Sequence, residues 1–184
     1  LPAILEQAMR RLDALGGTPS QPAPMAGELQ APQRPEGSKL LRPYRGEAHA
    51  PPLRLPTLRG DPVDLANLRG QVVLVNFWST WCPPCVEAIP SLQRLYRMLG
   101  PRGLEILAVA VGETVETMEA FLADKPVEFP VLMDLDGEAL RRWGVHAFPT
   151  TLVLDREHRI RYAVFGAFDW SSREVIEALE PLLE

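Results

Sequence analysis

What most limits the folds open to this chain is the joint between a β-branched and aromatic run, Val72-Val73-Leu74-Val75-Asn76-Phe77-Trp78, and the pattern after it. The run has the length and continuity of a strand buried on both faces. Beyond it, apolar residues fall at Ala88, Ile89, Leu92, Leu95, Tyr96 and Leu99, which is helical spacing. Between the two lie Trp81-Cys82-Pro83-Pro84-Cys85, which hold both cysteines of the chain. The spacing therefore predicts a strand-to-helix turn, with Cys82 near the first helical turn and Cys85 within it.

That placement has chemical consequences. Unpaired backbone N–H groups and the positive end of the helix dipole favour negative charge beside them, and a thiolate is such a charge. Cys-x-x-Cys turns of this kind lower a thiol pKa from about 8.5 into a range of roughly 3.5 to 7.5. Cys82 is the expected nucleophile, and Cys85, three residues on, is placed to displace whatever Cys82 captures. Pro83 and Pro84 supply no backbone N–H and stiffen the turn, so they tune the reduction potential.

Other readings of the pair are weighed by what the chain lacks. Structural zinc wants four Cys or His ligands at recognisable spacings, and His49, His146 and His158 are scattered. A haem attachment site would need His directly after Cys85, where Val86 stands. Soft thiolates could hold Cu(I), which leaves a metallochaperone as the second hypothesis, and an inert disulfide as the bland one.

The chain has 184 residues and a formal net charge of −5, with charges of both signs interspersed. There is no basic stripe for nucleic acid and no polybasic membrane patch. Pro2 to Leu15 carries one apolar stripe, Ile4, Leu5, Ala8, Met9, Leu12 and Leu15, so residues 1–17 read as an amphipathic helix ended by Gly16-Gly17. Its stripe needs a partner: the domain, a second copy of the chain or another protein. Residues 18–49 read as a proline-rich linker and 50–184 as one domain. No long apolar segment is present. The opening at Leu1 reads as a processed or truncated end, consistent with a removed anchor.

Within the domain, Leu53 to Leu65 alternates around Gly60-Asp61, predicting a small hairpin followed by a helical turn at Ala66 to Leu68. Leu104 to Val111 is the next buried strand, and Thr114 can cap a helix with Val115, Met118, Phe121 and Leu122 inside. A short strand around Phe129 to Met133 and a helix from Glu138 to Trp143 follow. Thr151 to Asp155 and Ile160 to Phe165 read as antiparallel strands. Ser171-Ser172-Arg173-Glu174 reads as a capping box opening a last helix whose stripe is Val175, Ile176, Leu179, Leu182 and Leu183.

Taken together, the strand, Trp81-Cys82-Pro83-Pro84-Cys85, Pro90 five residues further on and Phe148-Pro149-Thr150 resemble the thioredoxin superfamily, and more narrowly its TlpA-like and ResA-like thiol-disulfide oxidoreductases. The similarity runs from Pro51 to the end. It implies an α/β, thioredoxin-like three-layer fold with a central mixed sheet, an N-terminal β-hairpin and a central βα insertion. It also implies a protein thiol-disulfide oxidoreductase, most often a reductase, located in the periplasm or otherwise outside the cytoplasm and in some members membrane-tethered. Such a protein needs no cofactor besides its redox-active disulfide, takes electrons from a membrane donor and passes them to client proteins such as apocytochrome c. Oligomeric disulfide isomerases among similar proteins suggest that the N-terminal helix could build an oligomer.

The resemblance assigns roles by position. Pro149 is the expected cis-proline opposite the cysteines, leaving the Phe148 backbone to pair with an extended substrate segment. Trp81 shields one side of Cys82 and offers a flat contact, while Trp78 and Trp143 are core residues. Two departures concern the proton acceptor for Cys85: Asn76 stands where thioredoxin has Asp, and Ala88 where ResA-like proteins commonly have Glu. Glu87 lies about 200° around the helix from Cys85 and faces solvent. Glu113, in a Val-Gly-Glu placement that resembles ResA-like proteins, is the remaining candidate. His146 reads as a solvated surface residue.

Overall fold

A computed structural model describes residues 41–44 and 49–184. The amphipathic helix expected over 1–17 and most of the expected linker lie outside the described residues. The centre of the fold is a six-stranded sheet in the order β1-β8-β7-β4-β5-β6, made of β1 (Arg42–Pro43), β4 (Val72–Trp78), β5 (Leu104–Val111), β6 (Val131–Asp134), β7 (Thr150–Leu154) and β8 (Ile160–Phe165). β4 pairs in parallel with β5 and antiparallel with β7, so the sheet is mixed. β2 (Arg54–Pro56) and β3 (Pro62–Asp64) form the separate hairpin, followed by a 3₁₀ turn at Leu65–Leu68 that Asp64 caps through the Ala66 N–H.

The continuous apolar run makes β4 a central strand with every residue buried. Its pleat divides the core. Val72, Leu74 and Trp78 face a layer of α1 (Pro83–Leu99), α2 (Val115–Asp124) and α4 (Arg173–Leu183), while Val73, Val75 and Phe77 face α3 (Glu138–Arg142) and the hairpin. Each fully buried leucine of these layers, Leu74, Leu95 and Leu179 among them, is worth roughly 2 kcal/mol of transfer free energy. The hairpin does more than decorate the entry to the domain, because Thr57 bridges Leu132 and covers the β6 edge.

Two expectations need revision. β1 lies inside the stretch expected to be linker: Arg42 and Pro43 pair with Ala163 and Tyr162 of β8, Leu41 is buried, and His49 bridges Arg159. The folded unit therefore reaches back to Leu41. The capping box at Ser171 does not form either. Asp169 accepts from both the amide and hydroxyl of Ser171, and the cap position falls one residue later on Ser172, whose side chain makes no cap bond. A nearer carboxylate outcompetes the reciprocal box. Among the described residues no helix is long and apolar enough to cross a membrane.

Candidate active site

β4 delivers the chain to the C-terminal end of the sheet, and residues 79–82 carry it across to α1. Cys82 is the residue before the helix, with extended backbone, and Pro83 and Pro84 occupy the first two helical positions, where a fixed φ suits the helix and a missing N–H costs no helical bond. Cys82 and Cys85 are joined as a disulfide, with Cα atoms 5.3 Å apart. Both are mostly buried, but Cys82 keeps 5 % of its surface exposed against 2 % for Cys85. Cys82 is thus the more exposed residue of the pair.

The amides at the head of α1 are not free to face the Cys82 sulfur. The first amides after the prolines, those of Cys85 and Val86, both donate to the Cys82 carbonyl, at 3.0 and 3.2 Å. With two donors deleted by proline and two used on the carbonyl, the free N–H groups expected beside Cys82 are missing. The helix dipole still favours a thiolate at Cys82.

The wall opposite comes from the loop before β7. Thr150 pairs with Phe77, which brings Phe148-Pro149 to the same end of the sheet as the cysteine turn. The Phe148–Pro149 bond is cis and Pro149 is buried. The Pro149 carbonyl accepts from Gly166 N and the Thr150 hydroxyl donates to Ala147 O, so the loop is held on both sides. Among the described residues no hydrogen bond takes up the Phe148 backbone. Trp81, 69 % exposed, meets the Phe148 ring edge-on at 5.7 Å. Together they make an aromatic rim beside the disulfide, the sort of surface that gives contact area at little entropic cost.

Glu113 is drawn into the same place. β5 ends at Val111, Gly112 turns the backbone with φ +66°, a conformation that favours glycine, and Glu113 is then buried beside the end of β4. Its Oε1 accepts from the Ser79 hydroxyl at 2.7 Å, the Thr80 amide at 2.6 Å and the Thr80 hydroxyl at 2.7 Å. Burial pushes its carboxyl up, but these hydrogen bonds outweigh burial and hold it below the usual glutamate range. Ser79 and Thr80 were not singled out from the sequence. Two hydroxyl residues interposed between a buried strand and a cysteine turn were the available signal.

The remaining candidates sort by burial. Asn76 is buried and donates from Nδ2 to Thr151 Oγ1 at 2.8 Å, an uncharged pair on the sheet face that carries α1. Ala88 is buried, whereas Glu87 and His146 are exposed. Trp78 packs on Phe121 and Trp143 on Phe77, both as core residues. Among the described residues no group of three or more His, Cys, Asp or Glu is placed to hold a metal ion.

Comparison with known proteins agrees with this geometry. The AhpC/TSA family matches residues 47–163. The thiol-disulfide oxidoreductase ResA of Geobacillus thermodenitrificans is 33% identical over 133 residues, covering 72% of this chain and 76% of that protein. ResA of Bacillus subtilis is 35% identical over 117 residues, 64% of this chain and 65% of that protein. Among solved structures, a thiol:disulfide interchange protein of the thioredoxin family from Chlorobium tepidum superposes with a TM-score of 0.64 at 28% identity, covering 75% of this chain and 97% of that one. The chain belongs to the AhpC/TSA family and, within the thioredoxin superfamily, is a ResA-like thiol-disulfide oxidoreductase.

Proposed function

We propose that this oxidoreductase is an extracytoplasmic reductase of client-protein disulfides, with Cys82 as the attacking sulfur and Cys85 as the resolving one. The observation that carries the reading is the Cys82–Cys85 disulfide at the head of α1, with Cys82 the more exposed residue of the pair and the cis-Pro149 loop at the same end of the sheet. In the reduced protein the Cys82 thiolate attacks one sulfur of a client disulfide; an S–S bond forms to Cys82 and the client's other sulfur leaves as a thiolate. The Cys85 thiolate then attacks Cys82 Sγ, releasing the second client thiol and closing the Cys82–Cys85 disulfide. Two electrons pass to the client. A dithiol donor at the membrane would restore the pair by the reverse exchange, and no cofactor besides the disulfide is required.

An extended client segment adds to the Phe148 backbone, whose hydrogen-bonding groups are otherwise unused, and lies against Trp81. The names of the ResA relatives support the exchange chemistry. The direction rests on the turn itself: without free amides the Cys82 thiolate is weakly stabilised, which favours the oxidised protein and makes the dithiol a reductant. Equilibrating the pair with glutathione tests this. A potential below that of glutathione, together with insulin reduction that is lost in Cys82→Ser, is expected; a potential above it would make the protein an oxidant.

A further inference from the structure

The Glu113 carboxylate lies at this site, and its hydrogen bonds say how it is used. Oε1 receives three donors, all from residues 79 and 80. Each of the two hydroxyls has one proton, and each gives it to this oxygen. Two residues on from Thr80, Cys82 N turns back to the Ser79 carbonyl at 3.3 Å, so the clamped segment closes into a turn whose remaining members are Trp81 and Cys82. A general base needs a lone pair aimed at the proton it removes and a pKa near the working pH. Glu113 spends Oε1 on the turn, and the three donors fix the orientation of the whole carboxylate, Oε2 included.

We propose that Glu113 is a positioning residue: its carboxylate fixes the Ser79–Thr80 turn, and so the presentation of Trp81 and Cys82 to a client, and does not take the proton of the resolving thiol. The inference rests on the reading that Cys82 captures the client. The direction of the Glu113 carboxyl shift agrees with the geometry, since the Ser79 and Thr80 bonds favour the ionised form over the pull of burial. The clamp also accounts for Trp81, which is largely exposed yet holds an edge-on contact with Phe148. Fixing the residue before it limits where its ring can go.

The test separates acceptor geometry from charge. Glu113→Gln keeps an oxygen for the three donors and removes the charge; Glu113→Ala removes both. With a disulfide-bonded protein as substrate, Glu113→Ala is expected to lose about ten- to a hundredfold in kcat/KM, largely through KM, since small misplacements of a reacting group have effects of that order. Glu113→Gln should recover to within about threefold of wild type, and the pH profile should keep its shape in both variants. Amide exchange at residues 80–82 should accelerate in Glu113→Ala and stay protected in Glu113→Gln. That second measurement needs no client, so absence of reductase activity in the wild type would defeat the functional reading while the clamp is still judged by exchange. If Glu113→Ala fails to fold, Ser79→Ala and Thr80→Val each remove one hydroxyl donor and should show the same KM effect in smaller measure. Loss of activity in Glu113→Gln as large as in Glu113→Ala, with one limb of the pH profile gone, would establish a base and overturn the proposal, as would unchanged exchange and activity in Glu113→Ala.

Discussion

Replacing Pro84 with alanine isolates what the two prolines do to the Cys82 sulfur. A residue in the cap position before a helix takes its side-chain hydrogen bond from the amide two or three places on. Two places on is Pro84, which has no N–H, and three places on is Cys85, whose amide already bonds the Cys82 carbonyl at 3.0 Å. The thiolate keeps the dipole, worth about 0.3–1 kcal/mol near a helix end. Pro84→Ala adds an amide in the position that caps. A hydrogen bond to a charged acceptor contributes about 1.5–3 kcal/mol, and sulfur is a weak acceptor, so roughly 1.4 kcal/mol is the working figure. That lowers the Cys82 pKa by about one unit and, at a pH above the Cys82 pKa of both proteins where the reduced form is thiolate, raises the reduction potential by about 30 mV, with a smaller shift at lower pH. Thiolate absorbance titrated against pH reads the first, and equilibration with glutathione the second. Pro83→Ala restores an amide one place too early to reach the sulfur and should shift the pKa by less than about half a unit. Equal behaviour of both variants and wild type, or a higher Cys82 pKa in Pro84→Ala, would refute the reasoning.

Asn76→Asp puts a carboxylate into the buried site now bonded to Thr151, and its pKa will rise with desolvation. A raised folded pKa makes the variant lose stability as pH climbs above the unfolded aspartate value, by about 1–3 kcal/mol, which urea unfolding at pH 5 and 8 should show as a widening gap from wild type. Asp155 behaves in the opposite sense: burial raises its carboxyl, but bonds from the Arg159 amide and the Arg159 and Arg161 side chains hold it below the usual range. Its contribution is full above the ordinary aspartate pKa and disappears as pH falls through the lower folded value, so Asp155→Asn should flatten the acid limb of stability against pH. Trp81→Ala, at a largely exposed site, should change unfolding free energy by less than about 1 kcal/mol while raising KM several-fold for a protein disulfide and leaving a small disulfide unaffected.

Where one force dominates, the sequence was a good guide. Val72 to Trp78 reads as a central strand because nothing but burial on both faces suits such a run, and β4 is that strand. The hairpin follows from alternation about Gly60-Asp61, and Thr114 does cap α2 by accepting from Thr117 N. Where several local partners compete, the pattern was ambiguous. Ser171 could reach Glu174 but meets Asp169 first, two residues away. β1 escaped notice because Arg42-Pro43 has no strand composition and pairs only because β8 offers it an edge. In the site, the position of Glu113 at a strand end was legible, but its donors were not. Ser79 and Thr80 are 34 and 33 residues away, and only the β4–β5 register brings them together.

The measurement nearest the centre of this account asks which sulfur holds the client. Reduced Cys85→Ser protein, mixed with a disulfide-bonded client, should accumulate a covalent adduct that peptide mass spectrometry assigns to Cys82, while Cys82→Ser accumulates none. An adduct forming through Cys85 at a similar rate in the Cys82→Ser protein, or no adduct in either variant, would contradict it.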